Sequence, residues 1–119
     1  VLDKILELIK EDSVIESLAE KVDFFSIGTN DLTQFTLAVD RQNPKLDKYY
    51  NPHHEALFRM IKLVIDNGHA SGCRVAVCGE LAADTTITEK LIQLGVDELS
   101  VSSPFILPVR KAIRESVSQ

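Results

Sequence analysis

Twice in this chain a short apolar run stops abruptly in a cluster of polar, chemically capable residues. Phe24-Phe25-Ser26-Ile27 runs into Gly28-Thr29-Asn30-Asp31, with Arg41 ten residues beyond Asp31, and Val77-Cys78 runs into Gly79-Glu80. In a parallel α/β protein that pattern places function at the carboxyl ends of strands, where loops converge over the core. The first cluster suits a divalent metal and an oxyanion, and the second offers a thiol. Together they point to chemistry on a small phosphorylated acid.

The rest of the chain alternates in the same sense. Residues 5–9, 22–27, 74–78 and 98–102 read as strands, the first of them ambiguous because Leu and Glu suit a helix equally. Between them lie helical patterns. Ser13 and Glu16 form a capping box before Val14, Ile15, Leu18 and Ala19. Residues 32–39 carry Leu32, Phe35 and Val39 at inward spacing, and residues 42–50, with Pro44 and several charges, read as a surface loop. Asn51-Pro52 opens a helix whose stripe is Leu57, Ile61, Val64, Ile65 and Gly68, with Gly72 as its stop. Thr86 and Glu89 make a second capping box ahead of Leu91, Leu94 and the terminating Gly95, and Pro104 starts a last helix with Ile106, Val109 and Ile113. This βαβαβαβα order specifies a parallel sheet covered by helices.

Composition sets the outer bounds. At 119 residues and 45% hydrophobic, residues 1–119 form one folded domain, small for a complete barrel. A net charge of -5 gives no electrostatic footprint for nucleic acid. No apolar run approaches the length of a membrane span and no signal peptide pattern opens the chain, so a cytoplasmic location is expected. If one strand carries both Cys73 and Cys78, about 16 Å separates them, beyond the reach of a disulfide.

The polar clusters divide by chemistry. Mg2+ takes oxygen ligands, often one or two carboxylates plus substrate oxygens, and Asp31 just past a strand end suits that. Asn30 can donate to a substrate oxygen, Gly28 lets the backbone approach closely, and the planar fork of Arg41 fits a carboxylate or phosphate. The thiol of Cys78 can act as proton donor or, if activated, as nucleophile; no His-Cys pairing is visible, which favours the donor. Each has a plainer reading. Asp31 can cap the following helix, Arg41 can be a solvated surface residue, Cys78 can be a small buried hydrophobe, and Glu80 can pair with a basic neighbour. His53 and His54 read as surface residues, since His-His without further ligands coordinates poorly.

Three segments taken in order are more specific than any one of these. Residues 24–43 (FFSIGTNDLTQFTLAVDRQN), residues 78–84 (CGELAAD) and residues 96–102 (VDELSVS) closely resemble enzyme I of the phosphoenolpyruvate:sugar phosphotransferase system. The resemblance implies the last half of a (β/α)8 TIM-type barrel that binds phosphoenolpyruvate and Mg2+. In that family the phosphoryl group passes to a histidine on a separate mobile domain and on to a phosphocarrier protein, and pyruvate is released. On that resemblance Asp31 is a metal ligand lying against substrate, Asn30 and Arg41 bind substrate, and Cys78 protonates the enolate. Counting back without a gap puts the second metal ligand at Glu7. There the family pattern breaks: Ile9 stands for the expected Pro, and Lys10-Glu11-Asp12 replace small residues. Only four of eight barrel units are implied, so the chain reads as one portion of a longer enzyme, expected to be inactive alone.

Pyruvate phosphate dikinase and phosphoenolpyruvate synthase share the Asn-Asp and Cys-Gly elements and form the alternative within the same chemistry. A different alternative is a non-catalytic assembly module, because open sheet edges invite a second chain. Either way a homo-oligomer is expected.

Overall fold

The structure is a computed structural model and describes residues 13–117. The strand candidate at residues 5–9, and with it Glu7, lies outside the described residues. Three parallel strands, β1 (Phe24–Gly28), β2 (Arg74–Cys78) and β3 (Glu98–Leu99), form one sheet in chain order. Register aligns Ile27 with Val77 and Gly28 with Cys78 across β1 and β2, and Val77 with Leu99 across β2 and β3. The helices are α1 (Ser13–Ala19), α2 (Thr29–Leu37), α3 (Glu55–Ala70), α4 (Glu80–Ala83), α5 (Thr88–Leu94) and α6 (Ile106–Val117).

Because side chains alternate along a strand, the register sends Phe25, Ile27, Val75, Val77 and Leu99 to one face. There they meet Phe58, Ile61 and Ile65 of α3, Leu81 of α4 and Leu91 of α5 in the hydrophobic core. Burying each such side chain contributes about 1.5–3 kcal/mol. The expected stripe of α3 holds: Leu57, Ile61, Ile65 and Gly68 are buried, and Val64 is half-buried. A methyl group on Gly68 would stand 2.8 Å from Val75 Cγ2, so hydrogen at this position is what lets α3 lie so close to β2. The opposite sheet face presents Phe24, Ser26, Ala76 and Cys78, with Phe24 and Ser26 exposed.

Several helix ends differ from the sequence expectation, each for a local polar reason. Asn51 does not cap α3; its Oδ1 accepts from His53 N at 3.0 Å, an Asx turn, and α3 begins at Glu55 with His54 Nδ1 accepting from Ala56 N. The second capping box is not formed either. Thr86 turns toward Asp84, its N and Oγ1 both donating to Asp84 Oδ1, and α5 starts at Thr88 without a side-chain cap. Pro104 sits in a 3₁₀ turn, Ser103–Phe105, ahead of α6; Val109 is buried, Ile113 half-buried and Ile106 exposed. The loop over residues 42–50 contains a 3₁₀ helix, Pro44–Tyr49, capped by Asn43.

Helix α2 departs most. It begins at Thr29, directly on the end of β1, and stops at Ala38 in the left-handed region (φ 53). Its buried residues are Thr29 and Thr33, linked by a hydrogen bond from Thr33 Oγ1 to Thr29 O, while Phe35 is 77% exposed rather than inward. On α1, Ala19 is buried and Ile15 half-buried, but Val14 and Leu18 are exposed. Strand β3 ends at Leu99 instead of Ser102, although Ser100 N still donates to Val77 O. Cys73 and Cys78 are both free thiols, as the spacing predicted. Among the described residues no helix is long and apolar enough to cross a membrane.

Candidate functional site

All three strands run parallel, so their carboxyl ends gather on one edge, and the polar clusters go there with them. Gly28 and Cys78 are direct register partners, which makes Thr29-Asn30 and Gly79-Glu80 neighbours across the sheet. The approach is close enough to dictate residue size. Gly79 adopts φ 92, in the left-handed region, and a methyl group on it would stand 2.7 Å from Thr29 Oγ1 and 3.2 Å from Asn30 Oδ1.

Two hydrogen bonds join the strand ends. Thr29 Oγ1 donates to the Cys78 carbonyl at 2.7 Å, and Glu80 N donates to Asn30 Oδ1 at 3.3 Å. With Oδ1 so engaged, the amide of Asn30 keeps its two Nδ2–H donors for a ligand. Cys78 is half-buried. Its Sγ accepts from Ser26 Oγ at 3.6 Å and donates to the Ile27 carbonyl at 3.5 Å. The thiol proton is therefore held toward backbone, and the sulfur faces a hydroxyl donor.

Beside this junction lies a cavity of about 530 Å³, lined by Asn30, Gly79, Glu80, Asp84, Ser100 and Ser102 with Phe105 as an apolar wall. The rim is braced from α3's leading turn: His53 Nε2 lies 2.7 Å from Asp84 Oδ2. Burial pushes the Asp84 carboxyl up, but hydrogen bonds from the Thr86 hydroxyl and backbone, with His53 beside them, hold it below its ordinary value. His53 is thus an exposed ion-pair partner and His54 a helix cap, in line with reading both as surface residues.

The predicted site residues fall into three groups. Asn30 lines the cavity, and Cys78 stands at the adjoining strand end. Asp31 is exposed in the first turn of α2, its Oδ2 4.0 Å from where a Gly28 Cβ would be, so its carboxylate folds back over the strand end. Arg41 is exposed, follows α2, and is anchored through its backbone N to Gln34 Oε1; it does not line the cavity. Glu7 lies outside the described residues.

Among the described residues no group of three or more His, Cys, Asp or Glu side chains forms a metal cage. A hard cation that keeps waters and takes substrate oxygens requires only one or two carboxylates, and Asp31 at the strand end is compatible with that donor set. Sequence reasoning missed Ser26, Thr29, Ser100, Ser102 and the His53–Asp84 pair. Ser26 lies inside the first apolar run and Thr29 in the polar cluster that follows it, but their partner is Cys78, about fifty positions away, and only the strand register reveals it.

Comparison with known proteins identifies a family for the chain. A family model described as PEP-utilising enzyme, PEP-binding domain, matches residues 5–118. A phosphoenolpyruvate-protein phosphotransferase of Haemophilus influenzae is 52% identical over 97 residues, covering 82% of this chain and 17% of that protein. One from Bacillus subtilis is 44% identical over 106 residues, 89% of this chain and 19% of the relative. Multiphosphoryl transfer protein 1 of Escherichia coli is 42% identical over 106 residues, 89% of this chain and 13% of the relative. The chain therefore spans under a fifth of the length of these relatives. With the match extending over nearly its whole length, the chain belongs to the family of PEP-utilising enzymes, as their PEP-binding domain.

Proposed function

We propose that this chain is the carboxy-terminal part of a phosphoenolpyruvate-protein phosphotransferase, the last half of a (β/α)8 barrel that binds phosphoenolpyruvate. The observation that carries the reading is the junction of Asn30, Gly79 and Cys78 at one strand edge, in a chain matched from end to end by the PEP-binding family. The sheet face that leaves Phe24 and Ser26 exposed fits a barrel interior, since a sheet that closes on itself turns one face inward and layers helices on the other.

In this reading the Nδ2–H donors of Asn30 and the guanidinium of Arg41 hold oxygens of the substrate. Asp31 and Glu7 are the residues that would hold Mg2+, which when bound would supply positive charge to offset that of the substrate. The P–O bond of phosphoenolpyruvate breaks, and phosphorus is taken by a histidine on another domain of the parent enzyme. The enolate left behind takes the Sγ proton of Cys78 at its terminal carbon, giving pyruvate and a thiolate. That thiolate remains within reach of the Ser26 hydroxyl, which donates to it. Without the other half of the barrel the chain does not turn over phosphoenolpyruvate.

A calorimetric titration of the chain with phosphoenolpyruvate and Mg2+, alongside Asp31→Ala, tests the reading. Mg2+-dependent binding that is lost in the variant is the expected result. Binding of equal strength in Asp31→Ala would remove Asp31 from the site, and no binding to a folded chain would mean that the site forms only in the longer protein.

A further inference from the structure

The two hydrogen bonds across the strand ends make a clamp with a defined geometry. Adjacent residues on one side, Thr29 and Asn30, hold positions 78 and 80 on the other. Gly79 lies between those two attachment points with no space for a side chain against Thr29 or Asn30. A turn held at one point can pivot, whereas a turn held at two points cannot. Of the pair, the Thr29 bond is the shorter at 2.7 Å, and its residue is 2% exposed, so water does not compete for it. Thr29 is fixed in turn from α2, its own carbonyl accepting from Thr33 Oγ1.

We propose that Thr29 is a positioning residue that binds the Asn30 amide and the Cys78 thiol into one rigid unit. The inference rests on the reading of this edge as a phosphoenolpyruvate site, where one of these groups holds substrate and the other delivers a proton. The Thr29 hydroxyl sets the carbonyl of Cys78, which fixes the direction of the following peptide. That peptide delivers the Glu80 N–H to Asn30 Oδ1, and this contact selects the amide orientation with Nδ2 outward. Thr29 does not line the cavity, and its hydroxyl bonds the Cys78 carbonyl rather than the thiol; it acts through the turn.

The test uses the whole chain as Thr29→Val, which keeps the shape and removes the donor, and Thr29→Ser, which keeps the donor. The side-chain amide resonances of Asn30 are followed in asparagine-labelled protein, and Cys78 alkylation by iodoacetamide is timed by peptide mass spectrometry. One hydrogen bond corresponds to about a two- to tenfold change in such an equilibrium, so Cys78 alkylation in Thr29→Val is expected to rise by at least about twofold. The Asn30 resonances move in the same variant, and Thr29→Ser restores both. A lowered melting temperature with the Asn30 resonances unmoved would reduce Thr29 to a packing residue and overturn the proposal. So would a change at Cys78 alone, because the coupling would then be absent. Both readouts are taken without substrate, so they stand apart from the titration: binding of equal strength in Asp31→Ala counts against the site reading, and an unmoved Asn30 counts against the clamp.

Discussion

At the scale of single residues, the edge depends most on the side chain that Gly79 lacks. Its φ of 92 and the 2.7 Å separation from Thr29 Oγ1 act together, one strained for any L side chain and the other closed to it. With φ 92 and ψ -171 the backbone occupies a region used almost only by glycine, which costs another residue about 1–3 kcal/mol. Gly79→Ala is expected to lose at least that much in urea unfolding, and more if Thr29 is pushed aside; an unchanged midpoint would show that the turn relaxes. Legibility at this scale followed sequence proximity. Asn30 and Cys78 were readable because each sits in a contiguous run that ends a strand. Thr29's partner was not, because the pairing of Gly28 with Cys78 depends on a register that no local pattern encodes.

Elements are held to one another by a small number of shared polar groups. The clearest is the Asp97 carboxylate, whose Oδ2 accepts from Val75 N and from His69 Nε2, both at 2.8 Å. One side chain thus ties the end of α3, the start of β2 and the approach to β3. The Val75 N–H, and then His69, hold the Asp97 carboxyl below its ordinary value. A carboxylate whose pKa is depressed on folding adds stability above its unfolded value, near about 3.9, and that stability is lost as pH falls through the lower folded value. Urea midpoints measured downward from pH 6 are therefore expected to drop most steeply below about pH 4, and Asp97→Asn to flatten that drop. An equally steep drop in the variant would assign the effect elsewhere, first to Asp84, which is also lowered. Element type was legible here where periodicity was strong, as in the α3 stripe. Element ends were not, because Asn51 turns to the His53 N–H in an Asx turn instead of capping α3, and Asp84 takes the Thr86 N–H that a capping box would have used. Around α2 the inward positions hold for Leu32, half-buried against the core, and for Val39, which is buried, but not for exposed Phe35; the buried Thr29 and Thr33 are not legible because hydropathy does not register threonine as inward.

For the molecule as a whole, the two sheet faces differ. One is layered with helices, while the other leaves Phe24 59% exposed beside Ser26. Exposed large apolar side chains recur on the outer faces too, at Phe35 and Leu107. A bare sheet with open edges associates, and the chain is expected to be a dimer or larger in light scattering at micromolar concentration. A stable monomer would show that these surfaces stay solvated. Parallel α/β architecture was legible from the alternation of runs.

The strand order of that sheet has a temporal meaning. Among the described residues no strand inserts between two earlier ones: β2 pairs with β1, and β3 with β2. That order allows each of these strands, as it is made, to pair with one already present. A molecule assembled in that order has natural seams, and a cut along a seam exposes one interface and leaves every later pairing in place.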